Sequence, residues 1–287
     1  MKLRLISAIS QAGSDTKANE DRYGHSDSIG FVVDGATGLG EKQYMAGFPS
    51  DAAWFAELSA HALLNNTDAQ KDTRLFLARF METARKAFFS SHNNQEIPRY
   101  AWPSASIALI SLEESKLTFS GLGDCTAYVG MPGSQVQKYS ALQDFAQAES
   151  AFAQIHVAMA NGIQGESLLD SADTLEQLRK ARSTHNTPEG SIWTLGLEPA
   201  AAEHLQQKTI PVAKGGEILI CSDGFSALEE TYQSYSPGSF VEAARSQGLK
   251  ALYHQLRDIE QTIDPLGKKY PRFKRSDDAT ALFLSIE

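Results

Sequence analysis

The chain runs to 287 residues, with 35 acidic side chains against 26 basic ones and a formal charge of −9. That balance works against nucleic acid or an anionic membrane as the main partner. Hydrophobic residues make up 42%, enough to build a core, which sets gross disorder aside.

Cys125 and Cys221 are the only cysteines, so there is neither a disulfide framework nor a zinc-finger spacing, and a reducing cytoplasm is the expected compartment. Residues 1–7 lack a sustained apolar signal region, and no stretch approaches the roughly 18 apolar residues of a membrane span. The histidines show no HxH or HExxH spacing, which argues against a zinc-hydrolase site.

Residues 3–9 alternate apolar with polar side chains and predict a first strand. A polar turn over 13–18 leads to Asn19-Glu20-Asp21 and a second strand over 29–33. This strand runs Phe31-Val32-Val33-Asp34-Gly35-Ala36-Thr37-Gly38, an apolar run closed by one carboxylate and a glycine-rich turn. It places Asp34 at the rim of a sheet, where the neighbouring glycine lets backbone or ligand approach closely. A buried charge there needs a partner, and a divalent cation supplies one. In an extended segment Glu20 and Asp21 point to opposite sides, so one can face a cluster at Asp34 and the other a water.

Helical periodicity starts at Pro49-Ser50-Asp51, carrying Trp54, Phe55, Leu58 and Leu63, and resumes over 72–91 with Leu75, Phe76 and Phe80. These aromatics read as core packing of helix on sheet. Short strands follow at 104–112, 116–121, 126–130 and 136–139. Sequential hairpins at that spacing predict an antiparallel sheet rather than a βαβ repeat. Residues 142–178 are rich in Ala, Gln and Glu and read as mostly helical, broken by Gly162, Gly165 and Ser167. The segment around 142–190 carries no catalytic signature and reads as a helical insertion, a lid or a partner surface. Strands return at 191–195, 206–212 and 217–221, the last ending in Ser222-Asp223-Gly224. Helices at 239–247 and 250–262, a basic loop over 264–275, and Ser276-Asp277-Asp278-Ala279-Thr280 before a strand at 281–286 complete the chain. With no repeat or clear linker, residues 1–287 read as one domain.

Asp34, Asp223 and Asp277, with Glu20 and Asp21, make an oxygen-only donor set suited to Mg²⁺ or Mn²⁺. A single Asp-Gly at a strand end is usually a plain turn; the joint pattern carries the reading. The ordered motifs Asn19-Glu20-Asp21, Val33-Asp34-Gly35-Ala36-Thr37-Gly38, Gly121-Leu122-Gly123-Asp124, Cys221-Ser222-Asp223-Gly224-Phe225 and Asp277-Asp278-Ala279-Thr280 resemble the metal-dependent protein phosphatases of the type 2C (PPM) family, bacterial type.

The resemblance implies an α+β fold, a four-layer αββα sandwich of two antiparallel β-sheets flanked by helices. It implies a phosphoserine/phosphothreonine protein phosphatase that uses a metal-activated water at two Mg²⁺ or Mn²⁺ ions about 3.5–4 Å apart, without a covalent phosphoenzyme. Matched residue by residue, Asp34 bridges both ions, Glu20 and the Gly35 carbonyl hold one, and Asp223 and Asp277 hold the other. Asp21 orders a metal-bound water, and Asp124 matches the position of a weaker third ion. The implied partner is a phosphoprotein, met by a monomer.

Two departures stand out. The family's phosphate-gripping arginine position is Thr16, with Lys17 beside it; Lys17 reads either as a point charge for substrate or as a solvated surface lysine. Where many eukaryotic members place a histidine after Asp-Gly, this chain has Ala36, and His25 nearby in sequence reads as an ordinary surface residue. The basic run Lys268-Lys269, Arg272 and Lys274-Arg275 reads as a steering patch or as a solvated loop. A haloacid-dehalogenase-type phosphatase is disfavoured, because Ala36 stands where that chemistry needs a second aspartate. A catalytically weak regulatory or scaffolding relative is the alternative from another class, motivated by Thr16.

Overall fold

The computed structural model describes residues 1–66, 71–90, 96–143 and 145–287. Among the described residues, ten strands form two five-stranded antiparallel sheets. In the first, β1 (Leu3–Gln11), β10 (Ala279–Ile286), β9 (Glu217–Cys221), β6 (Thr126–Gly130) and β7 (Gln137–Ser140) lie side by side in that order. In the second the order is β2 (Arg22–His25), β3 (Ile29–Gly35), β4 (Ala105–Glu113), β5 (Lys116–Leu122) and β8 (Gln206–Pro211).

The apolar runs of the central strands follow from burial on both faces. Val32, Ile110, Ile220 and Leu282 meet in the core between the sheets. Their chain neighbours Phe31, Val33 and Leu109 face outward, against α1 (Asp51–Asn65) and α2 (Thr73–Ser90), through Phe55, Phe80, Met81 and Phe88. On the other side Leu219, Cys221 and Phe283 pack on α5 (Asp223–Glu230), α6 (Pro237–Gln247) and α7 (Leu249–Asp258), through Phe225, Phe240 and Leu252. Two helical layers thus cover the outer faces, giving the α+β sandwich. Each such Phe or Leu contributes about 1.5–3 kcal/mol on burial. Both cysteines are buried and free.

Between β7 and β8 lie α3 (Phe145–Met159) and α4 (Ala172–Ser183), joined through a short 3₁₀ turn, Leu168–Asp170. They close over a small core of their own, Ala153, Val157, Ile163 and Leu168, with Phe273 from the late loop. Residues 142–178 are therefore helical on either side of the predicted glycine break. Asp144 within this span, and Ser91 at the predicted end of α2, lie outside the described residues. No helix of the described residues is long and apolar enough to cross a membrane.

One expected strand is absent and three elements were not anticipated. Residues 191–195 form only an isolated bridge, Leu195 to Ala105, because the Thr194 N–H is taken by the Asn186 side chain at 2.7 Å rather than by a strand. β2 exists although its sequence has almost no apolar pattern; its ladder to β3, Arg22 opposite Val33 through His25 opposite Gly30, supplies the order. Asp223-Gly224 opens a helix instead of a turn. A 3₁₀ segment, Pro199–His204, precedes β8.

The antiparallel registers bring one end of every relevant strand to the same edge of the sandwich. Gly35 ends β3 opposite Ala105, and Leu122 ends β5 opposite Ile107. Cys221 ends β9 opposite Ala281 and Thr126. The loops carrying residues 12–21, 34–40, 123–125, 222–224 and 274–278 therefore gather at that edge.

Candidate metal centre

Asp34 is the penultimate residue of β3 and lies opposite Ser106 on β4. Behind it, Gly35 is fixed by crowding: a Cβ there would sit 2.5 Å from the Glu20 carbonyl oxygen. That close approach is what sets the Glu20 backbone beside Asp34. Ser106 also holds Asp124; its Oγ donates to Asp124 Oδ1 at 2.5 Å and accepts the Asp124 N–H at 3.2 Å. Gly123 makes this possible, with φ +78° and no room for a Cβ, which would fall 2.1 Å from Ser106 Oγ.

Asp223 starts α5, and its N–H reaches Asp34 Oδ2 at 3.4 Å. Ser222 just before it accepts the Thr280 N–H at 3.0 Å, tying the end of β9 to the start of β10. Asp278 knots three segments: its carboxylate accepts the Gly13 N–H at 2.8 Å and the Glu20 N–H at 2.6 Å. Asp277 accepts the Asp278 N–H at 2.9 Å and the Lys274 ammonium at 2.6 Å. Glu20 accepts from Ser50 Oγ at 2.5 Å and Thr37 Oγ1 at 2.8 Å. Thr37 in turn accepts from Lys274 Nζ at 2.9 Å, so one ammonium links the Glu20 side of the site to Asp277.

Asp21 is 1% exposed, and neither of its carboxylate oxygens has a hydrogen-bond partner. The Ser222 and Thr280 hydroxyls lie near it without bonding geometry. Burial first, then the charge of Asp278, pushes its carboxyl up to about 8. Burial likewise raises Asp34, aided by the charge of Asp21, and raises Asp223, aided by that of Asp34. Glu20 and Asp124 are raised by burial against the pull of their serine partners. Burial disfavours the Lys274 ammonium, but the charge and hydrogen bond of Asp277, together with the charges of Glu20 and Asp223, raise the group overall.

The site thus crowds carboxylates whose charged forms are penalised by burial, and such a group is relieved by a proton or a cation. All these side-chain donors are oxygens, as hard divalent cations require. In the side-chain positions described, no three His, Cys, Asp or Glu groups are gathered closely enough to hold an ion. Asp277 is engaged by Lys274 and the Asp21 oxygens are orphaned. The all-oxygen donor set fits the chemistry of Mg²⁺ or Mn²⁺, and the Lys274 ammonium holds Asp277 in place of a metal cation.

Two cavities meet at this edge. Asp34, Gly35, Asp124, Asp223 and Asp277 line one of about 410 Å³, walled on the far side by α3 and α4. Glu20, Asp277, Asp278 and Lys17 line the other, of about 1010 Å³. Lys17 is exposed there and makes no hydrogen bond or ion pair among the described residues. Asp21 lines neither. Thr16 donates to the Glu166 carboxylate at 3.2 Å. His25 pairs with Gly30, on the strands leading away from this edge.

Much of the basic run before Asp277 is engaged within the protein, with Lys268 and Lys269 exposed and Arg272, Lys274 and Arg275 half-buried. Arg272 pairs with Asp264 at 3.0 Å and donates to the Asp264 and Glu260 carbonyls, and Lys268 bonds Asn161 at 2.8 Å. Sequence reasoning missed Thr37, Ser106 and Arg182 as members of the site. Thr37 stood in the Asp34 motif without an assigned role, whereas Ser106 and Arg182 had no local signal and are brought in by register and packing.

No family model and no curated protein matches the chain. Solved structures match it along its whole length. PppA of Pseudomonas aeruginosa, a regulatory component of its type VI secretion system, is similar at 15% identity and TM-score 0.55, over 99% of this chain and 98% of that one. The Mycobacterium tuberculosis serine/threonine phosphatase PstP/Ppp is similar at 15% identity and TM-score 0.55, with both chains fully covered. Stp1 of Staphylococcus aureus, a serine/threonine phosphatase, gives 14% identity and 0.54 over 99% and 96%. The fold is that of the PPM serine/threonine phosphatases. More narrowly, it is the bacterial type 2C form.

Proposed function

We propose that the chain is a metal-dependent serine/threonine protein phosphatase acting on phosphoproteins, with two Mg²⁺ or Mn²⁺ ions and a weaker third. The observation that carries this reading is the convergence of Asp34, Glu20, Asp223 and Asp277 from distant parts of the chain at one edge of the sandwich, with Asp34, Glu20 and Asp223 all raised by burial. The likeness to a PstP catalytic domain solved with two manganese ions supports it, at 16% identity and TM-score 0.54.

In this reading Asp34 would serve both ions, Glu20 and the Gly35 carbonyl one of them, Asp223 and Asp277 the other, and Asp124 the third. When bound, the ions supply an acidified water and positive charge for the phosphoryl oxygens. Ser50 and Thr37 fix the Glu20 carboxylate. Asp21, buried and without a partner, would order a metal-bound water. Lys17 on the open cavity wall meets substrate as a point charge. The protein works as a monomer in the cytoplasm, without nucleic acid or membrane.

The test is hydrolysis of p-nitrophenyl phosphate and a phosphothreonine peptide. Activity is expected with Mn²⁺ or Mg²⁺, none in chelator, and a fall of about 10³-fold or more in Asp34→Asn. A regulatory or scaffolding relative is favoured instead if phosphate esters bind unhydrolysed with either ion; the Thr16–Glu166 contact, which places a carboxylate where the family grips phosphate, is the observation on that side.

A further inference from the structure

Arg182 is the penultimate residue of α4 and lines the 410 Å³ cavity that also carries Asp34, Asp124 and Asp223. Among the described residues its guanidinium makes no hydrogen bond and no ion pair. The charges of Asp124, Glu149 and Glu20 act on it, yet none of these carboxylates comes within ion-pair distance. Burial works against its charge. An arginine presents five donors in a rigid fork, and leaving them all without a protein partner in a partly buried place is costly.

The helix bearing it is held firmly. Three residues earlier, on the same helix face, Arg179 donates to the Leu39 carbonyl at 2.7 Å, stacks over Tyr100 at 5.0 Å and approaches Glu41 at 3.8 Å. That clamps α4 to the loop leaving Asp34. Just beyond the helix, Arg99 donates to the His185 and Asn186 carbonyls at 3.3 and 3.1 Å. The free guanidinium is therefore placed between two anchors rather than swinging on a loose end. Across the site, Thr16 is engaged by Ser14 and Glu166 and offers no cation.

We propose that Arg182, supplied by the helical segment and not by the N-terminal region, is the residue that grips the phosphoryl group of the substrate in the smaller cavity. The proposal rests on the phosphatase reading for its ligand class, a phosphate monoester. The fork matches two phosphoryl oxygens at once, which a lysine ammonium does not. Arg182 then has an anion to pair with only when substrate or product is bound.

The test is direct binding of inorganic phosphate to the Mg²⁺-loaded protein by calorimetry, which needs no turnover, alongside Mg²⁺ affinity and p-nitrophenyl phosphate kinetics. Wild type, Arg182→Ala, Arg182→Lys and Lys17→Ala are compared, with thermal melting as the check on folding. Arg182→Ala is expected to weaken phosphate about 10- to 100-fold and to raise KM in step, with Mg²⁺ affinity little changed. Arg182→Lys is expected to recover part of the loss, and Lys17→Ala to weaken phosphate less than Arg182→Ala does.

The proposal is overturned if Arg182→Ala binds phosphate like wild type, if its only effect is tighter Mg²⁺ (a mere counter-charge to the carboxylates), if Lys17→Ala carries the loss instead, or if wild type binds no phosphate. Phosphate binding that depends on Arg182 in a protein that hydrolyses nothing keeps the subsite and removes the phosphatase reading.

Discussion

Asp21 shows how a single residue reports on the site. Its carboxyl, ordinarily near 3.8, sits at about 8 because burial and then the Asp278 charge oppose ionisation. In the metal-free protein the folded state therefore holds a proton that the unfolded chain has already released. Stability falls as pH rises through that window, by on the order of a few kcal/mol. Asp34 and Asp223 act in the same direction. His185, lowered to about 4 mainly by burial, acts in the opposite sense, but only below about pH 6.5. Melting the metal-free protein at pH 6.5 and pH 8 separates the two: Tm is expected to be lower at pH 8, and Asp21→Asn to shrink that difference. A Tm that is flat or rises with pH contradicts the electrostatic picture. At this scale the sequence was readable where a carboxylate follows an apolar strand, as at Asp34. It was silent on Lys274, which looked like part of a basic run and proves to be an internal bond to Asp277 and Thr37.

At the scale of elements, Ser50 joins fold to site. Its Oγ accepts the Ala53 N–H at 3.0 Å as the N-cap of α1 and donates to Glu20 at 2.5 Å. Ser50→Ala removes a cap worth about 0.5–2 kcal/mol, and it also removes the hydrogen bond that lowers the Glu20 carboxyl. A lower Tm together with weaker Mn²⁺ affinity at pH 7 is expected, by melting and calorimetry. Loss of Tm with unchanged affinity limits Ser50 to capping. The start of α1 was legible because Pro49-Ser50-Asp51 is a cap signal followed by helical periodicity. The start of α5 was not, since Asp223-Gly224 carries turn residues, and the packing of Phe225 and Leu228 on the outer face of the first sheet favours the helix. β2 and the failed strand at 191–195 mark the same limit: pairing partners, not local pattern, decided both.

The whole molecule explains why a site can be built from residues so far apart in sequence. The antiparallel order of each sheet returns β1, β3, β5 and β9 to one edge, so loops from the start, middle and end of the chain become neighbours. The order of motifs suggested this architecture through resemblance; periodicity alone supported only antiparallel hairpins. The pairing of β1 with β10, and β8 on the edge of β5, joins strands that no local signal connects. The helical segment over the smaller cavity was recognisable as helical from composition. That it brings Arg182 into the cavity lined by Asp34 and Asp124 is a consequence of its anchoring by Arg179 and of its own small core.

The most direct test of the account is the anomalous scattering of a crystal prepared with Mn²⁺. The account predicts two strong peaks sharing the Asp34 carboxylate, one also touching Glu20 and the Gly35 carbonyl and the other Asp223 and Asp277, with Lys274 moved off Asp277. Saturating Mn²⁺ with no peak in contact with Asp34 contradicts it.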